Sequence, residues 1–434
     1  MASDAREGWN DVILGDHVDL LTGYPFKSVE FSTSDDAVRL LKGSVVAPAA
    51  LNWRGAVGLS RAGTEAFRKY ELEIGDVVLA MDRPWIEAGL KYAWITADDL
   101  PSLLVQRVAR LRGRRGLETS FLRYVIGGRD FTNYIAPIVT GVTVPHISPR
   151  QICSFRFVLP PQPIQRKISA VLSAYDDLIE NNNRRIKILE EMAQRLYREW
   201  FVDFRYPGHE DVPLVESELG MIPKGWAIEP LKDVCKRVLD GDWIETKDQG
   251  GDDYRLLQVS NIGIGSFRET GNYRYISQST FRRLRCSQVT EGLILVSRMP
   301  DPVGRAWYVD HLAEPAVTAV DVAILEPDSA AIDPRYCAFY LNTQRNLEYA
   351  AQRASGTTRL RITRRDLETF PILVPSTDTR VAFAKVLEDN GRQGLALTLQ
   401  SHNLRNTRDL LLPRLISGEV DMSELEIAMP EVAA

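Results

Sequence analysis

Apolar residues recur every seven positions along two stretches of this chain. In the first, Ile168, Tyr175, Asn182, Leu189 and Leu196 form one stripe, with Leu172, Ile179, Ile186, Ala193 and Trp200 four positions on. In the second, Phe383, Asn390, Leu397, Leu404 and Leu411 keep the same heptad. Sustained seven-residue spacing marks helices that bury a narrow stripe against another helix. Pro163 suits the first turn of the first helix and the pattern persists to Phe201, which at ~1.5 Å per residue makes a rod of about 60 Å. The second helix is locally weaker: Gly391 and Gly394 each cost about 1 kcal/mol relative to Ala, and Pro413 predicts a kink or an end. Its packing on the first helix has to outweigh propensity. Asn182 and Asn390 fall at core heptad positions, where a polar side chain fixes register at a cost in stability; a solvated defect is the alternative.

Ahead of each helix lies a globular stretch of short strands and few helices. Strands are expected at Asp76–Ala80, Leu103–Val108 and Phe155–Leu159, answered by Leu293–Ser297, Val320–Leu325 and Phe370–Val374; helices are expected at Ser120–Ile126 and Arg335–Leu341. The correspondence is a repeat. Gly141-Val-Thr-Val-Pro-His-Ile-Ser148 matches Gly356-Thr-Thr-Arg-Leu-Arg-Ile-Thr363 at an offset of 215 (148 to 363), and Phe155-Arg-Phe-Val-Leu-Pro160 matches Phe370-Pro-Ile-Leu-Val-Pro375 at the same offset. Gly8-Trp9 answers to Gly225-Trp226, and Gly75–Ala80 to Gly292–Ser297, offset by 217 (80 to 297). The expected fold class is mixed α/β (α+β): two similar domains with an internal pseudo-twofold repeat, and two long antiparallel helices forming a coiled coil between them. The expected boundaries are 1–160 for the first domain, 161–205 for the first helix, 206–375 for the second domain with its leading linker, 376–418 for the second helix and 419–434 for a tail.

Composition narrows the class. A chain of 434 residues is too long for one ordinary core, and 44% hydrophobic with 26% charged residues is average for a globular protein. No apolar run approaches the roughly 20 residues needed to span a bilayer and the first residues carry no export signal, so a cytoplasmic protein is expected. Cys153, Cys235, Cys286 and Cys337 lie far apart without paired spacing and read as small buried apolar residues. A net charge of −5 counts against nucleic-acid binding until its distribution is considered. From Arg107 to Arg156 there are nine arginines against Glu118 and Asp130, and a second basic block holds Arg353, Arg359, Arg361, Arg364 and Arg365. Each block alone is equally well read as a solvated face.

Several segments carry a resemblance to a known family. They are Thr22-Gly-Tyr-Pro-Phe-Lys-Ser28, Leu159-Pro-Pro-Gln-Pro-Ile-Gln-Arg-Lys-Ile168, Asp176-Asp-Leu-Ile-Glu-Asn-Asn182, Leu196-Tyr-Arg-Glu-Trp-Phe-Val-Asp-Phe204 and Glu218-Leu-Gly-Met-Ile-Pro-Lys-Gly-Trp226. Together they resemble the specificity subunits of type I restriction-modification systems. The resemblance implies two target-recognition domains, each reading one half of a split site in double-stranded DNA, with the paired helices as a ruler. It further implies two methyltransferase subunits docked on the helices, using S-adenosylmethionine to methylate adenine, and motor-nuclease subunits that use ATP and Mg. No cofactor is expected on this chain itself. A rod longer than one duplex turn of roughly 34–36 Å agrees with two readers at a fixed spacing. One departure stands out: Gln165, which opens the first helix, is answered by Arg380, so methyltransferase contacts of the second helix are expected to differ.

No catalytic constellation accompanies this. An Asn-Pro-Pro-aromatic or Asp-Pro-Pro-Tyr motif to hold a target adenine is absent, Gly263-Ile-Gly265 lacks the third glycine of a dinucleotide fingerprint, and there is no Walker loop. Asp301-Pro-Val-Gly and Asp82-Arg-Pro-Trp lack the second acid and lysine of a nuclease, and the five histidines have no metal-ligand spacing. What remains is readout by loop residues, since Arg pairs with guanine, Asn or Gln with adenine, and Lys with phosphate. The candidates are Lys27, Lys42, Asn52, Arg54 and Arg83, with Trp53 as a stacking partner, in the first domain, and Gln258, Asn261, Arg298, Arg305, Arg359 and Arg361 in the second. Tyr197, Trp200, Phe201 and Phe204 are the candidates for a methyltransferase-docking face. Two other classes stay open: a coiled-coil scaffold joining proteins without DNA readout, and a self-contained restriction enzyme.

Overall fold

The computed structural model describes residues 7–427 apart from 35, 62, 87–88, 140–144 and 357–358. Parts of the repeat strings (Gly141–Val144, Thr357–Thr358) and the end of the expected tail lie outside the described residues. The chain divides into two compact units, residues 1–181 with 401–434, and residues 182–400. Each unit takes half of each long helix, so the helices do not form a body of their own.

In the first unit the chief strands are β1 (Asn10–Ile13), β2 (Val18–Thr22), β3 (Val38–Leu41), β4 (Val77–Ala80), β5 (Tyr92–Trp94), β6 (Ser102–Leu104), β7 (Val108–Gly113) and β8 (Arg156–Leu159). The helices are α1 (Thr119–Gly127), α2 (Arg129–Val139), α3 (Pro149–Cys153) and the long α4 (Gln162–Phe201). Strands β2, β7, β4 and β5 lie side by side in that order in an antiparallel sheet, β6 runs parallel to β3, and β1 pairs antiparallel with β8. The expected strand Leu103–Val108 is two strands, because the chain turns through Arg107, at a φ of 68°, and passes from one sheet to the other.

The second unit repeats this plan. It contains β9 (Ala227–Pro230), β10 (Cys235–Leu239), β11 (Tyr254–Leu257), β12 (Ile294–Ser297), β13 (Ala306–Tyr308), β14 (Ala316–Thr318), β15 (Val322–Pro327) and β16 (Pro371–Val374). Its helices are α5 (Pro334–Leu341), α6 (Gln344–Arg353), α7 (Arg364–Glu368) and the long α8 (Thr377–Ile416). The sheet order β10, β15, β12, β13, the parallel pair β11 and β14, and the pair β9 and β16 reproduce the first unit strand for strand. The expected Val320–Leu325 strand is the single strand β15, which begins and ends two residues later, at Val322–Pro327. Even the close approaches recur: a Cβ added at Gly23 would meet the Val105 carbonyl, and one at Gly241 the Ala319 carbonyl, so both positions admit only glycine.

Within the first unit, Ile168 and Leu172 of α4 and Leu415 of α8 are buried in the core with Phe121, Phe131 and Phe155, and Met422 beyond α8 returns to the same core. Lys167 Nζ fastens that return, donating to the carbonyls of Met422 (3.0 Å) and Ser423 (2.8 Å). Asp176, its side chain 10% exposed, accepts from Arg408 of α8 at 2.7 Å and from the Tyr124 hydroxyl of α1 at 2.8 Å. Within the second unit, Ala193, Tyr197, Trp200 and Phe201 of α4 meet Phe383 and Leu387 of α8 and Tyr336 of α5 in one core. Asn182 is buried at its heptad position and donates to Gln400 Oε1 at 3.3 Å, a polar partner across the helix pair. Pro413 falls in the last turn of α8, where only one hydrogen bond is forfeited and the helix still reaches Ile416.

Candidate nucleic-acid interface

The charged loops of the two units are built on one local plan. Ser148 caps α3, its hydroxyl accepting from Gln151 N–H (3.3 Å) while Gln151 Oε1 accepts from Ser148 N–H (2.9 Å). Thr363 caps α7 in the same reciprocal way with Asp366. The residue before each cap is a fully buried isoleucine tied to the end of a sheet strand: Ile147 N–H donates to Met81 O at 2.8 Å, and Ile362 N–H to Arg298 O at 3.0 Å. One step earlier stand His146 and Arg361, 215 residues apart (146 to 361), which this anchoring brings to equivalent places.

Around His146 the first unit gathers Asp82 and Arg107. Asp82 accepts from His146 Nδ1 at 2.6 Å and from Arg107 Nη1 at 2.5 Å. Burial pushes the Asp82 carboxyl up, but the two hydrogen bonds outweigh it and hold the group below the usual carboxylate range. An ionised carboxylate only accepts, so the His146 proton sits on Nδ1. Arg83, exposed at a φ of 44°, and Arg107 both hold left-handed backbone conformations, which is sterically costly for a residue with a Cβ.

Around Arg361 the second unit forms a cavity of about 630 Å³ lined by Asp240, Arg298, Ser355, Arg361, Thr363, Arg364, Arg365 and Glu368. Arg361 Nε pairs with Asp321 at 2.8 Å. Arg298, only 3% exposed, pairs with Asp240 at 2.6 Å and donates to Val320 O at 2.6 Å. Its burial lowers the guanidinium pKa. Arg364 joins Glu368 at 3.2 Å and Asp240 at 3.7 Å, and Arg365 is exposed. The backbone bond from Arg298 N–H to Asp321 O (2.9 Å) matches that from Met81 N–H to Arg107 O (2.8 Å), so acid and base have changed places between the two clusters.

The other expected contacts divide into open and occupied groups. Lys27, Asn52, Arg54, Arg83 and Arg359 are exposed, and Lys42 is half-buried with its ammonium 3.8 Å from the Phe31 ring centroid. Trp53 is not a free stacking platform: its indole N–H donates to Asp99 at 2.7 Å and the Arg39 guanidinium lies over its ring at 4.6 Å. Asn261 is buried, its side chain accepting from Gln258 N–H (2.9 Å) and donating to Arg268 O (3.0 Å), so it and the Gln258 backbone shape a turn. Arg305, 3% exposed, is a clasp for that turn: Nε donates to Ile262 O (2.6 Å), Nη2 to Val259 O (2.7 Å), and Nη1 to Met299 O and Pro302 O (2.8 Å each). With four of its five N–H groups engaged and the side chain buried, Arg305 presents no open fork to a base.

Tyr197, Trp200 and Phe201 likewise lie in the second core, with Phe201 ring centroids 4.6 Å from Tyr336 and 4.7 Å from Phe383, and Phe204 packs on Trp226 at 5.6 Å. They hold the helix to its domain and leave no aromatic docking face. The Gln165 and Arg380 difference also resolves internally. Gln165, fully buried, accepts from Glu118 N–H at 2.8 Å and donates to Gly116 O and Pro160 O at 2.7 Å each. Arg380 donates to Ala331 O, the counterpart of Gly116 O at the 215 offset (116 to 331), so two different side chains clamp helix to domain through the same carbonyl. Sequence reasoning passed over His146, Arg107, Asp240 and Asp321, although the repeat already set His146 opposite Arg361.

Among the described residues no group of three or more His, Cys, Asp or Glu side chains could hold a metal ion, and no helix is long and apolar enough to cross a membrane. The family described as type I restriction modification DNA specificity domain matches residues 7–191. The Escherichia coli type I restriction enzyme EcoAI specificity subunit is 36% identical over 189 residues, which is 43% of this chain and 31% of that protein. The matched part thus spans about a third of that relative's length. The Methanocaldococcus jannaschii MjaIX specificity subunit is 24% identical over 313 residues, 71% of each chain. The crystal structure of the type I restriction-modification S subunit from M. genitalium superposes with a TM-score of 0.54 over 96% of this chain and 97% of that one, at 13% identity, a likeness of fold. Over residues 7–191 this chain is thus similar to the DNA specificity domain of type I restriction-modification systems, and its two β-rich domains, each packed on halves of two long helices, share the fold of a type I S subunit.

Proposed function

We propose that each domain reads one half of a split site in double-stranded DNA, and that the chain presents this site to two adenine methyltransferase subunits. The observation that carries the reading is the duplicated loop cluster, Asp82, Arg107 and His146 in one unit and Asp240, Arg298, Asp321, Arg361 and Arg364 in the other, at equivalent places of two units with the same chief-strand order. Arg107 and Arg361, each ion-paired and partly exposed, are donors of the kind that reads base edges, whereas the buried Arg298 only supports its cluster, and the exposed Lys27, Arg54, Arg83, Arg359 and Arg365 supply phosphate contacts. A docking face for the methyltransferases is better sought in the exposed apolar residues of the helices than in the buried aromatics. Ile188 and Met192, one helical turn apart on α4, are about half exposed. S-adenosylmethionine, and ATP with Mg where a motor-nuclease subunit joins, are used by the partners, and the assembly works in the cytoplasm. The test is to co-express the chain with its neighbouring methyltransferase and map modified adenines across the host genome. A split motif with a fixed gap is expected; an active, well-folded complex that gives no motif would leave a protein scaffold as the better reading.

A further inference from the structure

Arg361 is held at one edge and open at the other. Its Nε pairs with Asp321 at 2.8 Å, its backbone N–H and C=O bond to Ser355 at 2.9 and 3.0 Å, and Ile362 beside it is pinned to Arg298. Among the described residues neither Nη atom donates a hydrogen bond, and the side chain is 41% exposed at the cavity. A guanidinium ion-paired at its Nε side offers its two Nη groups as a planar fork. On duplex DNA that fork matches the O6 and N7 acceptors of guanine in the major groove, or two oxygens of a phosphate. Arg298, Arg361, Arg364 and Arg365 outnumber the carboxylates of Asp240, Asp321 and Glu368, so the cavity draws in the anionic duplex, and the planar fork of Arg361 has the geometry that reads guanine.

The equivalent residue of the first unit offers different chemistry. His146 Nδ1 is taken by Asp82 at 2.6 Å, which in the neutral ring leaves Nε2 as a single acceptor on an exposed side chain. An acceptor there pairs with the amino group of adenine or cytosine, not with the guanine edge.

Resting on the DNA-reading function above, we propose that positions 361 and 146 are the paired specificity-determining positions of the two domains: Arg361 reads a guanine, with Asp321 as its positioning residue, and His146 reads an amino-bearing base in the other half-site. The test uses the chain in complex with its methyltransferase and compares methylation maps of the wild type with those of Arg361→Ala, Arg361→Lys, Asp321→Ala and His146→Ala. Arg361→Ala is expected to relax one guanine of one half-site, with discrimination at that base falling roughly 5- to 150-fold, the range of one bidentate pair. Arg361→Lys keeps the charge and relaxes the same base, Asp321→Ala relaxes it partly, and His146→Ala alters only the other half-site. Uniformly lower methylation with an intact motif would make Arg361 a phosphate contact and overturn the proposal, as would a change in both half-sites or in neither. A wild-type split motif with no guanine at the affected half-site also overturns it while leaving the split-site reading intact; a wild type with no split motif removes both.

Discussion

Replacing Arg305 by methionine separates a structural arginine from a reading one. The substitution keeps most of the side-chain volume and removes the guanidinium, stranding the carbonyls of Val259, Ile262, Met299 and Pro302 in a site that is 3% exposed. A hydrogen bond with a charged donor contributes about 1.5–3 kcal/mol, and a stranded buried acceptor costs about 1–3 kcal/mol. Four such terms cannot simply add, since the turn 259–262 and the loop 299–304 open once opening costs less than staying closed. The expected loss is therefore about 3–5 kcal/mol, the range seen when a buried charged hub is removed. Arg305→Lys, with a compact ammonium in place of the fork, should recover less than half of it. Urea unfolding gives the magnitude, and hydrogen exchange should place the lost protection in 259–268 and 293–308. A destabilisation under 1 kcal/mol together with an altered methylation motif would refute this reasoning and return Arg305 to the DNA-contacting set.

Two further outcomes follow from the packing and the electrostatics. Trp200→Glu puts a charge into the second core and should leave the chain insoluble or partly unfolded, whereas Met192→Glu changes stability by under about 0.5 kcal/mol yet abolishes co-purification with the methyltransferase; a stable Trp200→Glu complex would contradict the burial. Asp242 is raised from 3.8 to about 6, chiefly by burial, while its carboxylate accepts from Ser287 N–H at 3.0 Å. The folded state therefore holds a proton that the unfolded state releases, so this group's contribution to stability falls as pH rises from about 4 to 6 and stays low above. Asp242→Asn should stabilise by about 1 kcal/mol at pH 8, after discounting for partial solvent exposure, and by less at pH 5; an advantage equal at both pH values in urea melts would refute the assignment.

The architecture was legible in the sequence because it is periodic or duplicated. The heptad stripe runs to Phe201, where the helix Gln162–Phe201 ends, four residues before the expected boundary at 205, and the offset of 215 to 217 anticipated two units whose chief strands correspond. Side-chain roles were less legible, since charge and residue type do not report what surrounds a group. Arg305 and Arg361 look alike in the chain; one is enclosed by four carbonyls and the other stands at a cavity. The aromatic run from Tyr197 read as a docking face, yet Trp200 already belonged to the heptad stripe that has to be buried. Two strands merged in the reading at Leu103–Val108 because apolar runs do not mark where a chain changes sheets. Trp53 read as a stacking platform, and only the tertiary fold supplies the Asp99 and Arg39 that occupy it.

The allotment of the two helices bears on how the protein is made. Residues 182–400 are one uninterrupted stretch, whereas the first unit is discontinuous and needs Leu415 and Met422 to close its core. Synthesis runs from the N-terminus, so the domain whose sheets emerge first is the last to be completed. Until α8 has left the ribosome, the core around Ile168 and Leu172 lacks Leu415, and in that interval a nascent chain is exposed to capture by any other helix that carries the same heptad, including one from a second copy of itself.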